Sequence, residues 1–212
     1  MQNKPALWID ADGVLVDYTR GFLDYSGLSK AGYTYEDVQD YDLTKMFGSG
    51  KHAQDHTYEL MRKFSESPEF HDLKPLALLT DLEALANFGF PMYVISQLGS
   101  KVARHSRVMN LTRLYGKVFK NIVFTQHGQS KLDFIKENTE YNDNIIIEDN
   151  PGVFRALKDS KYTPNAEFKL FGICIRHPYN RHVQRGYNHF TEQDFHGATD
   201  TIIKSVIQRE VN

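Results

Sequence analysis

Short apolar runs alternate along the chain with segments of helical periodicity. The apolar runs are rich in β-branched and aromatic residues and cover positions 6–9, 92–95, 122–124, 144–147 and 169–175. Runs of this length are typical of strands buried on both faces of a sheet. Helical patterns lie between them at 76–88, 100–115, 130–138 and 151–158. This alternation predicts an α/β fold with a parallel sheet and helices on both faces.

One long segment interrupts the alternation. From position 18 to 75 the chain is polar and aromatic, with helix-like stretches at 19–28 and 51–65 and no clear strand pattern. A segment of this length is too long for a loop in a compact domain. We therefore predict a core formed by residues 1–17 and 76–212, and a small helical subdomain, residues 18–75, inserted after the first strand.

Composition and charge narrow the classes of function. The chain has 212 residues, 41% of them hydrophobic, which is enough for one sizeable core. Its 25 basic and 27 acidic residues leave a net charge of −2, without the basic field that binds polymeric nucleic acid. The single cysteine, Cys174, lies in an apolar run, so we interpret it as a buried small residue. The chain begins without a long apolar signal region and contains no stretch of membrane-spanning length, so we expect a cytoplasmic protein without a membrane partner.

Polar residues that could take part in catalysis or ligand binding follow four of the predicted strands or the loops after them. In open parallel sheets, ligands bind at the carboxyl ends of the strands. Asp10 and Asp12 are one residue apart just after the first strand, and they would repel each other without a nearby cation. A hard divalent cation would supply that compensation. The remaining residues are Ser96, Lys131, Glu148 and Asp149.

The segment Asp10-Ala11-Asp12-Gly13-Val14, followed in order by Ser96, Lys131 and Glu148-Asp149, resembles the four motifs of the haloacid dehalogenase (HAD) superfamily of phosphatases. The resemblance implies a Rossmann-like core with an inserted helical cap of the C1 type. It also implies a Mg²⁺-dependent phosphohydrolase, in which Asp10 attacks phosphorus to form an aspartyl-phosphate. Asp12 would protonate the leaving oxygen and then activate the water that hydrolyses the intermediate.

The same resemblance assigns roles to the other motif residues. Ser96 would hold a phosphate oxygen, assisted by backbone N–H groups of the following turn at Gln97. Lys131 would neutralise the charge of the phosphate and the nucleophile. The metal ligands would be Asp10, Asp12 through its backbone carbonyl, and Asp149. Glu148 would bind the metal directly or through water, and the sequence leaves both alternatives open because the family often has Asp at this position.

A closer resemblance is to the 5′(3′)-deoxyribonucleotidases within that superfamily. It is carried by segments 10–22, 70–75 and 176–181. It implies hydrolysis of (deoxy)nucleoside 5′-monophosphates, with Tyr18 and Phe22 beside the substrate. The alternative for Tyr18 is that it only anchors the first helix of the insertion. Two rival functions stay open: a phosphatase for another small phospho-metabolite, and a catalytically silent phosphate-binding relative. A homodimer is also left open.

Two groups of basic or metal-ligating residues have less specific patterns. His52, His56 and His71 lack a fixed acidic or Cys partner at a ligand spacing, so we expect them to be solvated or to line the cap rather than to bind metal. A second group follows the last apolar run and could bind a substrate phosphate or form a basic surface loop, and we favour the surface loop. Its members are His177, Arg181, His182 and Arg185.

Overall fold

The computed structural model describes residues 4–158, 168–186 and 188–211. In these ranges six parallel strands form one sheet in the order β3-β2-β1-β4-β5-β6. The strands are β1 (Ala6–Ile9), β2 (Met92–Gln97), β3 (Asn121–Thr125), β4 (Asp143–Glu148), β5 (Lys169–Ile175) and β6 (His189–Glu192). The α-helices are α1 (Tyr18–Tyr25), α2 (Lys51–Ser65), α3 (Pro68–His71), α4 (Leu79–Asn87), α5 (Lys101–Tyr115), α6 (Lys131–Asn138), α7 (Pro151–Ala156) and α8 (Phe195–Val211).

The sheet is buried on both faces. Successive side chains of each strand point to opposite faces, so each strand contributes to the core on both sides. In β1, Leu7 and Ile9 join one hydrophobic cluster, whereas Ala6 and Trp8 join the other. Trp8 stacks on Tyr93 of the neighbouring strand, with 4.7 Å between the ring centroids. The prediction of an α/β fold with helices on both faces of a parallel sheet is confirmed.

The local pattern predicted most elements of this fold. All five predicted strands are present, and the strands at 6–9 and 169–175 have the predicted bounds. The helix predicted over 76–88 begins later, at Leu79. The sequence pattern did not predict β6 or α8. Cys174 is fully buried, as we expected, and its burial raises the pKa of the thiol to about 12. Among the described residues, no helix combines the length and apolar character needed to cross a membrane.

The segment predicted as an insertion is helical. Residues 18–71 form α1, α2, α3 and two short 3₁₀ helices, Tyr35–Asp37 and Leu43–Phe47. The chain leaves and re-enters the core at adjacent positions, since the N–H of Asp17 donates to the carbonyl of Lys74 at 2.9 Å and the N–H of Leu76 donates to the carbonyl of Leu15 at 2.8 Å. The division into a core and an insertion with boundaries at 18 and 75 stays a prediction.

An aromatic cluster joins the insertion to the sheet. Phe22, Phe64 and Phe70 are buried in the same hydrophobic cluster as Leu7 and Ile9 of β1. Phe22 is only 1% exposed, and its ring centroid lies 5.7 Å from that of Phe64. Packing of the insertion onto the core encloses the side chain of Phe22, and substrate contact by Phe22 stays a prediction.

Candidate active site

The register of the three central strands brings the motif residues to one edge of the sheet. Ile9 of β1 pairs with Val94 of β2 and with Ile147 of β4. Asp10 lies one residue beyond this row, and its N–H donates to the carbonyl of Ile147 at 2.9 Å. Ser96 is the last residue but one of β2, and Glu148 is the last residue of β4. The carboxyl ends of parallel strands meet at this edge, which is where such sheets bind ligands.

Lys131 projects from the first turn of α6 into this group. The helix begins at its N-cap, Ser130, whose hydroxyl oxygen accepts from the N–H of Asp133 at 3.2 Å. Lys131 Nζ lies 2.8 Å from Asp10 Oδ1 and 3.0 Å from Glu148 Oε2, and the side chain is 10% exposed. Burial by itself would lower the pKa of Lys131, but the two carboxylates raise the pKa above its usual range. The ammonium group therefore stays charged.

Three buried carboxylates converge next to Lys131. Asp10, Glu148 and Asp149 each offer an oxygen within 4.8 Å of the others, and no other such group of His, Cys, Asp or Glu is found in the described part of the chain. Burial, with the nearby charge of Asp10, raises the pKa of Glu148 well above its ordinary value and the pKa of Asp149 to about 8. Asp149 Oδ1 is buried without a hydrogen-bond partner among the described residues. An all-oxygen set with an unused oxygen fits a hard cation such as Mg²⁺.

The turn after Asp12 depends on a glycine. Gly13 has a φ of 75°, a conformation that residues with a side chain rarely adopt. A Cβ atom at this position would also clash with Asp149 Oδ2. Gly13 thus allows the loop that carries Asp10 and Asp12 to approach the end of β4.

The segment after β5 supports Asp149 and was not predicted to do so. The Tyr179 hydroxyl donates to Asp149 Oδ2, and Asn180 Nδ2 donates to the Asp149 carbonyl at 2.8 Å. His177 is buried and its Nε2 lies 2.6 Å from the carbonyl oxygen of Gly13. The Nδ1 atom of His177 contacts the hydroxyl of Tyr35 from the insertion. The sequence signals for these roles were the position of segment 176–181 after a strand of the sheet and its place in the resemblance to the deoxyribonucleotidases.

The surface-loop interpretation of this basic segment is therefore wrong for His177, whose ring packs between the core and the insertion. It holds for the other three members of the group. Arg181, His182 and Arg185 are exposed, and Arg181 pairs with Glu36 of the insertion at 2.9 Å. His52 and His56 are exposed as well.

The side chain of Asp12 is directed to a different partner. It does not belong to the group of converging carboxylates, and its Oδ1 accepts a hydrogen bond from Arg107 Nη2. Burial raises the pKa of Asp12 above its ordinary value, although the Arg107 charge opposes the shift. A raised pKa favours the protonated form that a general acid needs. Nothing in the sequence pattern distinguished Arg107 from the other polar residues of α5.

The two predicted phosphate ligands of β2 have different surroundings. Ser96 is fully buried, and its hydroxyl has no hydrogen-bond partner among the described residues, so it is available to a phosphate oxygen. The carboxamide nitrogen of Gln97 donates to the carbonyls of Gln126 at 2.8 Å and Gln129 at 3.3 Å. Gln97 thereby ties β2 to the loop that leads to Lys131. Phosphate binding by both residues stays a prediction.

Tyr18 is partly buried at the start of α1. Its ring centroid lies 5.3 Å from that of Phe64 and 6.1 Å from that of Phe22. Burial, with the nearby charge of Asp12, raises the pKa of its hydroxyl above the usual range. The ring is therefore anchored in the aromatic cluster while its hydroxyl lies near the candidate acid and base, which leaves both interpretations of Tyr18 open to test.

Comparison with solved structures supports this picture at the level of the fold. The chain is similar to a haloacid dehalogenase-like hydrolase from Streptococcus pneumoniae, with 13% identity, a TM-score of 0.61 and coverage of 97% of this chain and 100% of that chain. The described part of the chain therefore shares the fold of that solved structure.

Two further solved structures share this fold. A D,D-heptose 1,7-bisphosphate phosphatase from Burkholderia thailandensis has 11% identity and a TM-score of 0.54, over 94% of this chain and 99% of that chain. A HAD hydrolase from Bacillus subtilis, solved bound to magnesium, has 12% identity and a TM-score of 0.51, over 95% of this chain and 99% of that chain. No protein-family model and no curated protein matched the sequence.

Proposed function

We propose that this protein is a Mg²⁺-dependent phosphomonoesterase that uses Asp10 as a covalent nucleophile. The observation that carries the proposal is the position of Lys131 between Asp10 and Glu148, beside the third carboxylate Asp149. A fixed cation beside a nucleophilic carboxylate and a site for a hard metal ion are the components that phosphoryl transfer requires. The fold shared with a bisphosphate phosphatase and with a magnesium-bound hydrolase supports the same class of reaction.

In the proposed reaction an Asp10 oxygen forms a bond to phosphorus while the bond from phosphorus to the ester oxygen breaks. Asp12 gives its proton to the departing oxygen. It then takes a proton from the water that attacks the aspartyl-phosphate, while the bond from phosphorus to the Asp10 oxygen breaks and inorganic phosphate leaves. Lys131 and the Ser96 hydroxyl hold the phosphate oxygens. Mg²⁺, held by Asp10, Asp149, the Asp12 carbonyl and Glu148, would neutralise negative charge on the phosphate.

For the substrate we propose (deoxy)nucleoside 5′-monophosphates. The support is the resemblance of segments 10–22, 70–75 and 176–181 to the deoxyribonucleotidases, together with the proximity of Tyr18 to Asp12. A phosphatase of another small phospho-metabolite is the second candidate, because a sugar bisphosphate phosphatase has the same fold.

The test is phosphate release from a panel of nucleoside monophosphates and sugar phosphates, with Mg²⁺ and with excess chelator. Asp10→Asn should abolish turnover while leaving the fold intact, because the change removes the nucleophile and little volume, and Lys131 keeps its ion pair with Glu148. Asp24→Asn, an exposed carboxylate on α1, is the matched control. Turnover by Asp10→Asn would refute the covalent mechanism, and a preference for sugar phosphates over nucleotides would favour the second candidate.

A further inference from the structure

Arg107 occupies an unusual position for an arginine. Its side chain is 0% exposed, and it projects from α5, the helix that follows β2, toward the loop after β1. One guanidinium nitrogen, Nη2, donates to Asp12 Oδ1. The guanidinium carbon lies 4.2 Å from the ring centroid of Phe70 in α3, which belongs to the insertion.

Stability alone does not explain this arrangement. Arg107 Nε and Nη1 are buried without a hydrogen-bond partner among the described residues. Buried donors without partners cost free energy, and replacing a buried ion pair with apolar side chains is often neutral or stabilising. The structure thus retains a buried charge whose one hydrogen bond among the described residues goes to the candidate acid and base.

We propose that Arg107 is a positioning residue that holds the Asp12 carboxyl group toward the leaving-group oxygen. The bond from Nη2 fixes Oδ1, so Oδ2 is the oxygen that exchanges the proton. The stack on Phe70 in turn fixes the guanidinium group. The orientation of Asp12 therefore depends on how the insertion, which carries Phe70, docks on the core. This inference rests on the proposed function, because it assigns Arg107 to the proton transfer of that reaction.

The chemical consequence depends on the leaving group. As the phosphorus–oxygen bond breaks and Asp10 bonds to phosphorus, a basic leaving oxygen must receive the Asp12 proton, whereas a weakly basic one departs as an anion with little help. Loss of Arg107 should therefore slow the cleavage of esters with basic leaving groups more than the cleavage of esters with weakly basic leaving groups. If the role of Arg107 were purely structural, its loss would slow the cleavage of both kinds of ester by the same factor.

The test compares kcat/KM for phenyl phosphate and for p-nitrophenyl phosphate, two esters of similar shape whose leaving groups differ in basicity. This constant reports formation of the aspartyl-phosphate and excludes its later hydrolysis. Arg107→Met should reduce kcat/KM about 100-fold for phenyl phosphate and about tenfold or less for p-nitrophenyl phosphate, within the range of general acid catalysis. The Mg²⁺ concentration for half-maximal activity should stay unchanged.

Arg113→Met is the matched control, because Arg113 is exposed on the same helix and donates to backbone carbonyls of His71 and Leu73 rather than to Asp12. It should leave the ratio of the two constants at the wild-type value. Arg107→Lys keeps the buried charge, so it provides a folded variant if Arg107→Met does not fold. We expect its ratio to lie between those of the wild type and Arg107→Met.

Equal falls for the two esters, or no fall, in folded Arg107→Met or Arg107→Lys would overturn the inference while leaving the proposed function intact. A wild-type protein that releases no phosphate from either ester or from the nucleotide panel would overturn both. Turnover by Asp10→Asn would likewise overturn both, since no aspartyl-phosphate would then form.

Discussion

Replacing Lys131 with methionine should destabilise the metal-free protein strongly, because it leaves buried carboxylates without their cation. Lys131 Nζ lies 2.8 Å from Asp10 and 3.0 Å from Glu148. At an effective dielectric constant of about 20, each pair contributes on the order of 5 kcal/mol of attraction, which desolvation of the three groups largely offsets. Removing one partner from such a buried pair typically costs about 3–5 kcal/mol.

This cost can be measured as a change in melting temperature. A chain of this size loses about 2–4 °C per kcal/mol, so Lys131→Met should melt about 6–20 °C below the wild type in chelator at pH 8. The difference should shrink at pH 5, because Glu148 and Asp149, whose pKa values are raised, can then bind protons instead of remaining unpaired anions. Added Mg²⁺ should also recover part of the loss, since a cation in the carboxylate group replaces the missing charge.

The control is Lys136→Met, which removes an exposed lysine from the same helix. It should change the melting temperature little, and it should not alter the response to pH or Mg²⁺. Equal melting temperatures of Lys131→Met and Lys136→Met in chelator at pH 8 would refute the argument that Lys131 neutralises the buried carboxylates.

Three further predictions follow from single contacts. Asp149→Ala should raise the Mg²⁺ concentration needed for activity more than it raises KM, and an unchanged metal titration would make Glu148 the preferred ligand. Tyr18→Ala should lower the specificity constant for a nucleoside monophosphate more than that for a small generic phosphate ester. Equal falls of the two constants, together with a lower melting temperature, would identify Tyr18 as an anchor of the insertion. His196 Nδ1 lies 2.9 Å from Asp81 Oδ1, and this hydrogen bond, with the charges of Asp81, Asp200 and Asp194, raises the pKa of His196 above its ordinary value of about 6.5. The resulting stabilisation is present in full below the ordinary pKa of histidine and is lost as the pH rises through the pKa of His196 in the folded protein. His196→Gln should therefore lower the melting temperature more at pH 6 than at pH 9.

Local pattern was sufficient for five of the six described strands and for the motif residues. Apolar runs revealed the five strands because strands buried on both faces must be apolar along their length. Asp10, Ser96 and Glu148 were recognisable because they directly follow or end such runs, and the strand register then brings Asp10 and Glu148 close to Lys131. β6 was missed because it has only four residues, which read HFTE and are mostly half-buried, so its sequence shows little periodicity.

Only the tertiary structure revealed which side chains support the motif residues. Arg107 bonds to Asp12 across 95 positions of the chain, and Tyr179 bonds to Asp149 across 30. Phe22 was expected at the substrate but is enclosed when the insertion packs on the core. Periodicity and spacing record the local preference of each segment, whereas these contacts depend on how distant segments dock. The sequence by itself therefore determined five of the six described strands and the candidate chemistry at the edge of the sheet. The packing of α3, α5 and the segment after β5 decided how the residues of that chemistry are held.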